Sequence, residues 1–247
     1  MRHIISWSGG KDSTATVILF HEHEKELIKQ GDEVFILFSE VMFDKKKQIS
    51  GHNPKIIRFI QEKRKIFESW GYHVEILHSD MDFLDTFFHR LTRSSFPERI
   101  GKMHGFPLNK CAVKRDCKIK PIEQWIKNCP DAYIQYIGIA VDEPARLRSL
   151  SDNAVSLLAK YGFTEKDAMC LCEKYNMVSP QYAMEGQTRD GCWFCPYAKP
   201  CEHQAIKDML PEAWKMYVDL ENIPDLVYPR WNLYTTETLK ERDEKLN

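Results

Sequence analysis

The stretch Ser6–Ser13, SWSGGKDS, decides how this chain is read. It follows the apolar run HIIS at residues 3–6. It opens a segment, Asp12 to about Gln30, in which Ala15, Ile18, Leu19 and Phe20 recur at helical spacing. A short buried strand therefore meets a helix through two adjacent glycines. Gly9 and Gly10 tolerate unusual backbone angles and let a ligand approach the backbone closely. Backbone N–H groups at a helix N-terminus form an anion cradle. Lys11 adds a full positive charge, and Ser8 and Ser13 add hydroxyl donors. Asp12 either caps the helix or helps to hold Mg²⁺. Ser8, Gly9, Gly10, Lys11, Asp12 and Ser13 are thus the candidate phosphate-binding residues. The Walker spacing G-x-x-x-x-G-K-[ST] is absent, so the cradle is of another kind.

Outward from this loop, strands and helices alternate. EVFILFS (Glu33–Ser39) is a continuous apolar strand of the type buried on both faces. HNPKIIRFIQEKRKIFESWG reads as a helix capped by Asn53, with Pro54 in its first turn and Gly71 at its end. YHVEILHS is a third strand and FLDTFFHRL a helical stretch. IKPIEQWIKN starts a helix near Pro121, and AYIQYIGIA (Ala132–Ala140) is a fourth strand. This alternation predicts an α/β fold, a parallel sheet wrapped by helices through right-handed crossovers. The pattern weakens after Leu150. TEKDAMCLCEKY opens with a capping box at Thr164 and Asp167, and the remainder reads as mostly helical and irregular. The expected organisation is a nucleotide-binding domain over 1–150 and a Cys-rich region over 151–247 packed upon it.

The 247 residues suffice for one large domain with an appendage, and 43% hydrophobic with 29% charged residues is ordinary for a globular chain. Apolar runs are far too short to span a bilayer, and MRHIISWSGG lacks the apolar core of a signal peptide. The expectation is a cytoplasmic protein with no membrane partner. A net charge of −1 argues against a general nucleic-acid coat. From Arg90 to Lys120, however, nine Lys and Arg residues, Lys110 among them, face only Glu98 and Asp116. That excess suits an anionic substrate, a phosphorylated nucleotide or an RNA backbone, although a solvated loop has the same composition.

The first motif matches S-G-G-x-D-S, and on it the chain resembles the PP-loop ATP pyrophosphatases. Two further stretches resemble the phosphoadenosine-phosphosulfate (PAPS) reductase family within that superfamily. KCAVKRDCKIKPIEQWI has a cysteine ahead of a Lys-x-x-Pro-like element and a helix. YIGIAVDEPARL has a strand followed by Gly-x-x-x-[DE]-[ES]-x-x-Arg. The resemblance runs to about Leu150. It implies an adenine nucleotide alpha hydrolase-like fold, with the loop gripping the β and γ phosphates of ATP while chemistry occurs at the α phosphate. It implies that Lys118 and Arg146 face the nucleotide or substrate anion, with Asp142 and Glu143 orienting them or binding metal. A surface pair of Arg146 with Glu143 is an equal alternative. Two departures matter. The family's C-terminal cysteine element, Glu-Cys-Gly-[IL]-His, is missing, for this chain ends TTETLKERDEKLN. Sulfonucleotide reductases also lack an intact S-G-G-x-D-S loop, which this chain keeps. Both departures point to ATP-dependent activation of the PP-loop sulfurtransferase type.

Eight cysteines are many for a reducing compartment, where structural disulfides are rare. GCWFCPYAKPC holds Cys192, Cys195 and Cys201, and a two-residue gap lets two thiolates reach one metal centre. Cys111 or Cys117 would complete a set of four. By resemblance Cys117, next to Lys118, aligns with the family's upstream cysteine, whereas Cys111 is an equally available ligand. Whichever is left over is a candidate reactive thiolate, its pKa lowered by surrounding Lys and Arg. The expected group is a [4Fe–4S] cluster, with Zn²⁺ as the alternative, since thiolates alone do not choose between them. Cys170 and Cys172 lie on different faces of a helix and make a poor metal pair. The nine histidines show no ligand spacing, and His203 alone lies close to a candidate ligand. Trp193, Phe194, Tyr197 and Trp214 are either core aromatics or stacking surfaces for a base.

These readings combine into an ATP- and Mg²⁺-using enzyme with catalytic candidates Lys11, Asp12, Cys117, Lys118 and Arg146. Its nucleotide contacts are Ser8–Ser13 and Asp142. Its metal ligands are Cys111, Cys192, Cys195 and Cys201. Its acceptor is RNA, DNA or a small molecule, sulfur comes from a separate donor, and a homodimer is compatible with the chain. The alternatives are a sulfonucleotide reductase using Cys111 or Cys117, and an ATP-binding regulatory module stapled by zinc.

Overall fold

The computed structural model describes residues 1–107, 111–129, 132–183, 191–232 and 235–246. Lys110 of the basic run lies outside them. Five strands form one parallel sheet: β1 (Arg2–Ser6), β2 (Glu33–Glu40), β5 (His73–His78), β7 (Tyr133–Ile137) and β8 (Ala154–Val155). Two small ladders accompany it, β3 (Met42–Asp44) with β4 (Ile49–Ser50), and β6 (Met103–Gly105) with β9 (Leu226–Tyr228). The helices are α1 (Lys11–Leu19), α2 (Pro54–Ser69), α3 (Phe83–Phe88), α4 (Lys120–Lys127) and α5 (Pro144–Leu147), then α6 (Leu157–Lys160), α7 (Glu165–Lys174), α8 (Pro200–Met209), α9 (Pro211–Asp219) and α10 (Leu239–Lys245). Among the described residues no helix is long and apolar enough to cross a membrane.

The order across the main sheet is β5-β2-β1-β7-β8. The chain leaves β1 for β2 on one side and later takes β7 on the other. The carboxyl end of β1 is thus the topological switch point, where crossovers diverge and leave a crevice. The expected α/β fold is present, and its strands are buried on both faces for a visible reason. Val34, Ile36 and Phe38 of β2 face a core shared with α1, α2 and α7, while Phe35 and Leu37 face α4. Each large apolar side chain fully buried there contributes about 1.5–3 kcal/mol.

The helix ends follow their sequence signals. Asn53 Oδ1 accepts the Lys55 N–H at 2.9 Å, Pro54 opens α2, and Gly71 takes a φ of +89° just beyond it. Thr164 and Asp167 form the capping box of α7. The segment beyond Asp12 departs in detail: α1 ends at Leu19, and a π turn (Phe20–Glu24) and a 3₁₀ turn (Lys25–Leu27) follow.

Residues on both sides of Leu150 contribute to the described core. Leu157, Leu158, Leu171, Cys172 and Met177 pack with the main sheet. A second cluster joins Val41, Phe43, Phe83, Phe87 and Phe106 to Trp193, Phe194, Tyr217 and Trp231. Trp193, Phe194 and Trp214 are core aromatics, whereas Tyr197 is 49% exposed.

Candidate active site

The SWSGGKDS loop lies at the switch point. Trp7 N–H donates to the Leu37 carbonyl at 2.9 Å, continuing the β1–β2 ladder by one residue. Gly9 then turns the chain at a φ of +83°, and Gly10 is extended at the N-cap of α1. Gly10 has no side chain with which to cap α1, so the helix's first N–H groups are left to other partners. The Lys11 N–H donates to the Tyr182 hydroxyl at 3.1 Å. The Ser8 N–H donates to Ser13 Oγ at 3.0 Å, and Ser13 Oγ–H donates to the Gly10 carbonyl at 3.1 Å. The two serine hydroxyls lie 3.0 Å apart. Residues 13–19 of α1 are all buried, so the loop stands on a fixed support.

Gly138, just past β7, holds this arrangement tightly. A Cβ there would lie 2.6 Å from the Asp12 carbonyl carbon and 2.7 Å from Ser13 N. Only glycine lets β7 approach the first turn of α1 so closely.

Lys11 faces two carboxylates. Its ammonium is 2.6 Å from Glu165 and 3.0 Å from Asp12. Burial pushes the Asp12 carboxyl up, against the opposing pull of Lys11. Lys11 itself is held above its ordinary value, because bonds from Glu165 and Asp12 outweigh the desolvation that would lower it. Asp142 accepts the Glu165 N–H at 3.3 Å, at the start of α7. Arg146 is 56% exposed and paired with Glu143, the surface pairing that its spacing allowed.

The cysteines form a second feature. A cavity of about 390 Å³ is lined by Cys111, Cys192 and Cys195, together with His52, Lys114, Lys118 and apolar residues including Val41, Val113 and Phe194. Its walls come from two distant parts of the chain. On one side, Trp193 N–H and Nε1–H donate to the Gly51 and Ser50 carbonyls, both at 3.0 Å. Gly51 is required there, since a Cβ would meet the Val41 carbonyl oxygen at 2.8 Å and the Phe194 ring at 2.9 Å. His203 Nε2–H donates to the Trp193 carbonyl at 3.1 Å, so the histidine next to Cys201 secures the backbone of the cysteine turn. On the other side lies a π-helical stretch, Lys114–Ile119. Ser39 and Ser79 hydroxyls hold its Cys117 and Asp116 carbonyls at 3.2 and 2.9 Å.

Not all expected ligands meet here. Cys117 is 0% exposed in the second core, and burial pushes its thiol up to about 12. This corrects the expectation of a reactive thiolate at Cys117: desolvation wins over nearby Lys and Arg. Burial also raises the Cys111 thiol, with Cys195 nearby adding to the effect. Cys201 sits on the first turn of α8 and does not line the cavity. Cys170 is exposed and Cys172 buried, its thiol donating to the Lys11 carbonyl at 3.3 Å. Among the described residues no group of three His, Cys, Asp or Glu side chains is disposed to hold a single metal ion.

Three residues of these sites had no role in the sequence reading: Glu165, Tyr182 and His52. Gly138 entered it as the glycine of the Gly-x-x-x-[DE]-[ES]-x-x-Arg element, without the packing role seen here. His52 carried no signal, because its spacing to the cysteines is long. It is 2% exposed, neither ring nitrogen has a hydrogen-bond partner among the described residues, and burial, assisted by Lys118, pushes its pKa down to about 3. The two features share the carboxyl edge of the sheet. The Trp7 ring lies 5.9 Å from Phe38, and Phe38 lies 5.5 Å from His52.

No family model matches the chain, and no curated protein matches it. Among solved structures, it is similar to the U34-tRNA thiolase NcsA from Methanococcus maripaludis with its [4Fe-4S] cluster. The identity is 15% and the TM-score 0.43, over 90% of this chain and 71% of that one.

Proposed function

We propose that this chain is an ATP-using enzyme that adenylates an acceptor, releases pyrophosphate and supports sulfur transfer. The observation that carries the reading is the S-G-G-K-D-S loop, set on a buried helix at the sheet's switch point, beside a cavity lined by thiols and lysines. ATP sits with its β and γ phosphates on the amides of Ser8–Ser13, and Lys11 turns from Glu165 to the phosphate tail. Asp12, with Asp142 nearby, serves the accompanying Mg²⁺. An acceptor oxygen attacks the α phosphorus, the bond to the bridging oxygen breaks, and pyrophosphate leaves on charge-stabilising amides. Lys118 attracts the anionic acceptor, and Arg146 does so after releasing Glu143. A sulfur nucleophile from a donor then displaces AMP. RNA or DNA carrying the acceptor base would meet the basic segment between Arg90 and Lys120.

Three cysteines line one cavity and supply the thiolate donors that an iron–sulfur group or Zn²⁺ takes, and we read the site as iron–sulfur, with zinc the alternative. Cys111, Cys192 and Cys195 would hold it, and it would supply soft iron positions able to carry sulfur.

Incubation with ATP, Mg²⁺ and total RNA, followed by chromatography of the nucleotides, tests the reading. AMP and pyrophosphate should appear with the wild type and be lost in Lys11→Ala. ADP and phosphate as the products would refute it.

A further inference from the structure

We propose that His52 is a nitrogen ligand to the iron–sulfur group held by Cys111, Cys192 and Cys195, in the place that the sequence spacing gives to Cys201. The inference rests on the cluster reading above and goes beyond it by assigning the fourth position.

The imidazole is almost fully enclosed at 2% exposure, and among the described residues neither of its nitrogens has a hydrogen-bond partner. Burying such a ring with both nitrogens unpaired is unfavourable unless another group meets one of them. His52 lines the cavity that the three cysteines line, and no other histidine does. Its place is fixed relative to the cysteine turn. Its own N–H donates to Ser50 Oγ at 3.2 Å, and the preceding Gly51 carbonyl accepts the Trp193 N–H at 3.0 Å. Trp193 lies between Cys192 and Cys195, so the imidazole and two thiols are mounted on one hydrogen-bonded unit. Phe38 packs against the ring at 5.5 Å and limits its rotation.

The chemistry of the wall agrees. Imidazole nitrogen and thiolate sulfur both bind iron, and exchange of thiolate for imidazole raises a cluster's reduction potential. A thiolate-bound cluster is an anion, and Lys114 and Lys118 line the same cavity. Cys201 on α8 and Cys117 in the second core lie outside it.

The test uses the full chain, reconstituted anaerobically with ferrous iron and sulfide, reduced, and examined by pulsed electron paramagnetic resonance. The wild type should show one strongly coupled nitrogen, and labelling with ¹⁵N-histidine should convert the ¹⁴N coupling to ¹⁵N. This arm needs no variant. His52→Ala should lose the coupling and shift the cluster to a lower potential, while Cys201→Ser should keep both properties. A wild-type cluster without nitrogen coupling, or a coupling that survives in His52→Ala, overturns the assignment while leaving the cluster reading in place. A wild type that takes up no iron overturns both.

Discussion

Gly138→Ala probes the mounting of the proposed phosphate cradle without altering a residue of the Ser8–Ser13 loop. The added methyl would lie 2.6 Å from the Asp12 carbonyl carbon and 2.7 Å from Asp12 O and Ser13 N. Ordinary contact begins at 3.4 Å, so the methyl is about 0.8 Å too close. All three neighbours are backbone atoms in the first turn of a buried helix, and none can swing aside as a side chain would. Either α1 or the end of β7 must move. Overpacking of this kind costs about 1–3 kcal/mol. At about 2–4 °C per kcal/mol for a chain of this size, Tm should fall by roughly 2–12 °C. The same displacement misplaces Ser8–Ser13, and a shift approaching 1 Å costs up to about 10²-fold in rate. Thermal melting and calorimetric titration with MgATP measure both effects, with at least a tenfold weaker Kd expected. Gly162→Ala is the control. Its Cβ meets nothing within 4 Å, but its φ of +74° should cost about 1–2 kcal/mol with ATP binding intact. Wild-type ATP affinity in Gly138→Ala, or an equal loss in Gly162→Ala, would refute the reasoning.

Glu165 competes with phosphate for Lys11, so Glu165→Gln should tighten ATP binding about two- to fivefold at low salt and by less at high salt, because the carboxylate is half exposed. The Tyr182 hydroxyl occupies the Lys11 N–H, and Tyr182→Phe should strengthen ATP binding about two- to tenfold in the same titration. Glu24 is buried; desolvation alone would raise its carboxyl, but hydrogen bonds from Lys160 and Tyr161 outweigh it and hold the carboxyl below its ordinary value. Its stabilisation is therefore complete above about pH 5 and is lost as pH falls through the depressed value. Denaturant titrations from pH 7 to pH 3 should show a steeper acid loss in the wild type than in Glu24→Gln, and parallel curves would contradict this.

The parallel sheet was legible because its signals are local. Apolar runs, Asn53, Pro54, Gly71 and the Thr164–Asp167 box each act within a few residues of themselves. The strand order was not legible, since nothing in β7 names β1 as its neighbour. The S-G-G-x-D-S pattern of the loop is local, but Tyr182 reaches Lys11 across 171 positions and leaves no pattern in the chain. The placement of the cysteines was only partly legible for the same reason. Spacing grouped Cys192, Cys195 and Cys201, and left the upstream partner between Cys117, which aligned best by resemblance, and Cys111. Docking of Trp193 on Gly51 and the π-helical turn at Lys114–Ile119 bring Cys111 to the cavity and leave Cys117 in the core. Lys and Arg near Cys117 in sequence suggested a thiolate, but desolvation dominates once the side chain is enclosed. His52 stayed hidden because burial and lack of a partner are properties of the fold.

Calorimetric titration with ATP and with AMP, each with Mg²⁺, most directly tests whether the loop holds the outer phosphates. Charge-assisted hydrogen bonds are worth about 1.5–3 kcal/mol each, so two or more to the β and γ phosphates should make ATP bind at least about 10²-fold tighter than AMP. In Lys11→Ala much of that preference should vanish. Equal affinity for the two nucleotides, or a preference untouched by Lys11→Ala, would contradict a phosphate cradle at Ser8–Ser13.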